Sequence, residues 1–159
     1  MLLDTMVGKQ HHFSVTTMWT GDLGTGTSNY RAYSRDHEIS GDTKYAPIQG
    51  SSDPAFRGDS SRYNPEELLV ASLSACHMLW FLHFCAEAGV IVTGYKDEAK
   101  STMRLNADGS GEFTEVVLRP IVDFADPLST GEVSELHERA HASCFIARSM
   151  NFPVRFELH

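Results

Sequence analysis

Between Asn64 and Gly89 the chain carries helix punctuation at both ends and apolar residues on every side. Asn64 suits an N-cap, and Pro65 suits the first helical position, where a missing N–H costs nothing. Glu66 and Glu67 complement the positive end of the helix dipole. Gly89 suits the stop. The pattern predicts a helix from Pro65 to about Ala88. Leu68, Leu69, Val70, Leu73, Met78, Leu79, Trp80, Phe81, Leu82 and Phe84 leave it no polar face. Ser, His and Cys interrupt the run, so it falls short of the roughly eighteen continuous apolar residues of a membrane span. Such a helix is expected at the buried centre of a globular fold.

The segments around it read as strands and turns. Residues 13–19 alternate apolar and polar with β-branched enrichment, and 30–33 and 37–39 read as two further short strands. The glycine-rich 21–27 lacks a phosphate-loop Lys and precedes no helix, so it is read as a hairpin turn. Residues 48–63 form a polar connection, long enough to suggest a loop that covers a site. Residues 90–105 and 111–124 read as one strand each, joined by the turn at 106–109. A second helix is expected over about 132–148, and a closing strand over 154–158. Strands come in blocks rather than alternating with helices, so the expected class is α+β with antiparallel sheets around the long central helix. A length of 159 residues fits one domain, 1–159, with 1–11 as a loose lead-in.

Charge narrows the partners. Thirteen Lys and Arg stand against 21 Asp and Glu, a net charge of -8. Nucleic acid needs clustered cations to neutralise phosphates, and an anionic membrane surface needs them too; neither is expected. Three cysteines, with no basic-then-apolar leader visible, argue against a secreted disulfide framework and for a reducing, cytoplasmic setting. In that setting a cysteine is either core filling or working chemistry.

Cys76 sits mid-helix beside Ser72, Ser74 and Ala75. By position alone it is ordinary buried packing. To be a nucleophile it needs a cation that stabilises its thiolate. The helix dipole acts within the first turn and gives little at this depth. An Arg from elsewhere in the fold would serve, because it stays charged when partly buried. Cys85 lies nine residues further on, roughly 13.5 Å along an α-helix, beyond the Cα separation of about 7 Å that a disulfide allows. Cys85 is therefore read as core. Cys144 can meet Cys76 only through tertiary packing. If the two meet, they have the logic of an attacking and a resolving thiol. His77, His83, His137 and His141 are possible metal ligands, and residues 137–141 spell H-E-x-x-H. An exposed helix face is the plainer reading of that match, and no metal or other cofactor is expected. Ser72 and Ser74 lack the glycine elbow of a serine nucleophile.

The run NPEELLVASLSAC, 64–76, resembles the signature of the OsmC/Ohr family, the osmotically inducible and organic-hydroperoxide-resistance proteins. Ala140 and His141 ahead of Cys144, followed by a terminal strand, resemble the family's second motif. The order of elements is similar over nearly the whole chain. The resemblance implies an intertwined homodimer with shared active sites. It also implies a thiol peroxidase that reduces organic hydroperoxides, and hydrogen peroxide less well. Cys76 would attack the O–O bond and become a sulfenic acid. Cys144 would condense with it to a disulfide, and an external thiol or dithiol would reduce that bond. Glu66, matching the Glu of the NPE motif, would pair with an Arg that steadies the thiolate, with Arg31 first and Arg35 second. Glu66 and Cys76 lie roughly 15 Å apart along one helix, so one site using both needs two subunits. Two positions depart from the family pattern. Phe145 stands where a Pro often follows the second Cys, and 28–31 reads Ser-Asn-Tyr-Arg in place of Gly-Gly-Arg. The chain thus resembles a general OsmC-like protein. Leu79, Trp80, Phe145 and Phe152 are expected to favour an alkyl group near the thiol. The rival expectation is a binding module that holds an apolar ligand without turnover.

Overall fold

The structure, a computed structural model, describes residues 8–158. Most of the expected lead-in, 1–7, lies outside the described residues; residues 8–15 are exposed and carry no strand. The chain forms two compact units, Met1–Pro65 and Glu66–His159.

The first unit is built on an antiparallel three-stranded sheet in the order β1 (Thr16–Trp19), β2 (His37–Ser40), β3 (Ile48–Gly50). Its register places Met18 opposite Glu38 and Trp19 opposite His37. The strand expected at 13–19 is real but starts at Thr16. The strand expected at 30–33 does not form. The Asn29 carboxamide accepts the Arg31 N–H at 2.9 Å, and the Ala32 N–H returns to the Asn29 carbonyl, so the chain turns there. Conversely, the polar connection at 48–63 contains β3 and a 3-10 turn at Pro54–Phe56, capped by the Asp53 carboxylate on the Ala55 N–H. Gly50 closes β3 because it packs against His37. A Cβ there would stand 2.3 Å from the imidazole Nε2.

The second unit begins with α1 (Pro65–Glu87). Its C-terminus is a Schellman motif: the Val90 N–H reaches the Cys85 carbonyl at 2.8 Å and the Gly89 N–H the Ala86 carbonyl at 3.2 Å, with Gly89 at φ 72°. One face of α1 is buried, through Leu73, His77, Phe81, Phe84 and Cys85. The expectation of a helix buried all round holds for that face alone within this chain; Leu79 on another side is 62% exposed. By length and composition α1 also passes as a membrane span, with an 18-residue window of mean hydropathy 1.7. Its packed face, which carries a buried imidazole, reads as a core helix instead.

The two long strands expected after α1 are each broken in two, at matching levels. β4 (Val92–Asp97) pairs antiparallel with β7 (Pro120–Phe124), and β5 (Lys100–Leu105) with β6 (Gly111–Leu118). Pro120 has no N–H to continue the ladder. Asp97 fills the break: its carboxylate accepts the Arg119 N–H at 2.6 Å and the Ser74 hydroxyl at 2.6 Å, tying the bend to the middle of α1. The last strand, β8 (Val154–Phe156), lies parallel to β6. The expected antiparallel sheets are present, and this pair is the parallel one among the named strands, reached through a helix rather than a hairpin. That helix, α2 (Thr130–Ser143), starts earlier than residue 132. Ser129 and Glu132 form a reciprocal capping box.

Two apolar clusters flank α1. One joins Phe81, Phe84 and Cys85 to Leu136 and Ala140 of α2. The other joins Leu73 to Val116, Leu118 and Val154 of the β5-β6-β8 sheet.

Candidate active site

α2 ends at Ser143, five residues before the expected stop, and Cys144 is its C-cap in extended conformation. Cys144 is thus not inside a helix, as the sequence suggested. After it the chain makes a 3-10 turn at Ala147–Ser149. The turn aims backbone N–H groups at the sulfur, with Ala147 N to Cys144 Sγ at 3.4 Å. Phe145, where the family pattern often has Pro, is 67% exposed and meets Trp80 edge-on at 5.3 Å between ring centres.

The packing of α2 on α1 brings Cys144 to Cys76, within side-chain hydrogen-bonding reach, with both thiols free. Cys76 is partly exposed, whereas Cys144 is 1% exposed. Burial, with the Cys76 thiol beside it, pushes the Cys144 pKa up to about 11, against the pull of the N–H groups of Ala147 and Ile146. Of the two residues, Cys76 is the more exposed. Cys85 is buried in the Phe81 cluster, and burial raises its pKa as well. The reading of Cys85 as core agrees with that setting.

Of the apolar residues expected around the thiol, Trp80 and Phe145 meet each other. Phe152 does not join them; it packs on Phe113 in the Leu73 cluster. Arg31 is exposed and has no ion-pair or side-chain hydrogen-bond partner among the described residues. Arg35 is already engaged: it donates to the carbonyls of Tyr33 at 2.7 Å and Tyr30 at 2.8 Å, and its guanidinium lies over both their rings. Glu66 is half-buried at the first turn of α1. It sits ten residues from Cys76 along an unbroken helix, so the two do not meet within one chain.

His137, read from sequence as one end of an H-E-x-x-H face, is fully buried. Its Nδ1 lies 2.9 Å from His77 Nε2, and its ring stacks on Phe81 at 4.0 Å. Burial drives both imidazoles towards the neutral form, with His77 down to about 3 and His137 to about 4. Among the described residues no group of three or more His, Cys, Asp or Glu is arranged to hold a metal. A pairing across 60 residues of sequence leaves no local signal that could have announced it.

A family model described as OsmC-like protein matches residues 58–159. Among solved structures, an OsmC-like protein of unknown function from Vibrio cholerae is 32% identical, with a TM-score of 0.84, covering 94% of this chain and 100% of that one. An organic hydroperoxide resistance protein from Elizabethkingia anophelis is 19% identical with a TM-score of 0.68, over 94% of this chain and 98% of that one. One from Bacillus subtilis is 21% identical with a TM-score of 0.61, over 92% and 98%. These last two are alike in fold. No curated protein sequence matches the chain. With its Cys76 motif on α1, its α+β architecture and the family match over most of its length, the chain belongs to the OsmC-like family.

Proposed function

We propose that the protein is a cysteine-based thiol peroxidase for organic hydroperoxides. The observation that carries this reading is the meeting of two free thiols of unequal exposure, Cys76 partly open and Cys144 buried. The Cys76 thiolate attacks the outer peroxide oxygen. The O–O bond breaks, sulfur is oxidised to Cys76–SOH, and the alkoxide leaves as alcohol after taking a proton. The Cys144 thiol then displaces the hydroxyl as water and forms the Cys76–Cys144 disulfide. An external dithiol, or two thiols, reduces that bond and is itself oxidised. The order follows from burial: Cys144 keeps its proton at neutral pH and is shielded, so it acts second.

Activation of Cys76 is assigned to Arg31 and Glu66, in a homodimer that shares its sites. Arg31 is the better cation because Arg35 is held by its own loop. Glu66 must come from the second subunit, since α1 holds it roughly 15 Å from its own Cys76. Exposed Leu79 and Phe145 support a site completed by another copy.

The test is consumption of cumene hydroperoxide with a dithiol reductant. Cys76→Ser is expected to abolish turnover, and Cys144→Ser to leave the first oxidation intact while altering recycling. Full turnover by Cys76→Ser would remove the proposal. Titration of all three thiols unchanged after one equivalent of peroxide would favour a ligand-binding module instead.

A further inference from the structure

Phe145 is a bulky apolar side chain that this chain leaves 67% exposed, and its position puts it beside the two thiols. Cys76 and Trp80 lie about one turn apart on α1, so they share a face of that helix. Phe145 directly follows Cys144. The contact of Cys76 with Cys144 is therefore flanked by a second contact between the same two segments, Trp80 with Phe145. These two rings stand at 84° to one another, with centres 5.3 Å apart. Both are held in place. Trp80 stacks on Phe84 at 5.4 Å, and His83 meets it edge-on at 5.6 Å. The Phe145 carbonyl accepts the Ser149 hydroxyl at 2.9 Å, which fixes the backbone under the ring. The result is an aromatic corner one helical turn from the thiol pair.

We propose that this corner seats an aromatic ring of the substrate, so that the protein selects aryl hydroperoxides, with the ring on the peroxide-bearing carbon, over alkyl ones. The inference rests on the peroxidase reading above and adds the class of organic group. Any apolar wall favours a hydrocarbon by burial alone. A perpendicular pair of rings adds direction. It offers a third ring an edge on one side and a face on the other, the two arrangements that aromatic rings prefer. Trp80 lies roughly 6 Å along α1 from Cys76, the reach of a ring bonded directly to the carbon that carries the O–O group. A saturated group gains burial there but no ring-to-ring contact. Phe145 is the residue that decides. The Pro frequent at this position in the family pattern has no aromatic face, so the preference belongs to this chain. In the proposed dimer the second copy closes the open side of the corner.

The experiment compares cumene hydroperoxide with its cyclohexyl analogue, equal in carbon skeleton but without the aromatic ring, as substrates of the full-length protein with a dithiol reductant. Expected is a kcat/KM for the aryl substrate roughly three- to tenfold above that for the cyclohexyl one. F145L, which keeps apolar bulk without a ring, should remove that ratio, and F145Y should retain it. A second arm needs no turnover. The alcohol products, 2-phenyl-2-propanol and its cyclohexyl analogue, are titrated into Cys76→Ser protein while the indole N–H signal of Trp80, assigned by W80F, is followed. Saturable binding, tighter for the phenyl alcohol, should move that signal. If this arm succeeds and the parent protein turns over neither peroxide, the peroxidase reading fails while the aryl site stands. Equal kcat/KM for the two peroxides, an F145L ratio equal to the parent's, or equal binding of the two alcohols would overturn the proposal.

Discussion

α1 and α2 are joined by two side-chain pairs of opposite character. Cys76 meets Cys144 at the end of α2, and His77, the next residue of α1, meets His137 earlier in α2. Their first members are neighbours in sequence, yet Cys76 is partly exposed and His77 is fully buried. One residue along a helix turns the side chain by roughly 100°, which carries it from the edge of the interface to its centre. The sulfur pair joins a partly exposed residue to a buried one. The imidazole pair is held between aromatic rings, neutral, and joins the two helices from within. Exposure and cohesion at one helix interface are thus divided between adjacent positions, and the proposed chemistry falls to the exposed one.

Replacing one member of each pair separates these roles. Cys76→Ser is expected to lower hydroperoxide turnover to the background rate, a loss on the order of a thousandfold or more, with thermal stability nearly unchanged. His137→Ala should do the reverse. It leaves a void beside Phe81 and a buried His77 without its partner, and chemical denaturation should show a loss of about 3 kcal/mol. Below its unfolding transition the same variant should still oxidise Cys76.

Acid loosens the imidazole pair first. Both folded-state pKa values lie below the ordinary 6.5, His137 near 4 and His77 near 3. The unfolded chain therefore binds more protons in between, and folding stability falls as pH falls. The contribution is complete above about pH 6.5. It drains away towards pH 4 and then 3, on the order of 2 kcal/mol for each histidine by pH 4.5. Denaturation midpoints measured from pH 7 to 4.5 should track this loss, and His77→Phe/His137→Leu together should flatten it. The smallest effect belongs to Cys85, which is neither paired nor exposed. Cys85→Ala should cost about 1 kcal/mol and leave the response to peroxide unaltered.

The sequence made α1 legible because its ends carry local chemistry: Pro65 with two glutamates at one end, Gly89 at the other. The Cys76 motif was equally plain. The breaks at Asp97 and Pro120 were hidden because alternation runs through them, and only the side chain of Asp97, bonded across to Arg119 and Ser74, shows why the strands bend. β3 was missed because its three residues sit among Ser, Gly and Pro, where turn composition overrides strand propensity. For α2, the Ser129 to Glu132 spacing is a capping signature open to reading, but its end at Ser143 depends on the sulfur and turn that follow. The histidine pair depends wholly on how two helices pack, which no local pattern encodes.

The most direct measurement is intact mass and peptide mapping after one equivalent of cumene hydroperoxide, without added reductant. Expected is the loss of two hydrogens in a cross-link joining the Cys76 and Cys144 peptides, with Cys85 still a free thiol. Three intact thiols, or a cross-link that includes Cys85, would contradict it.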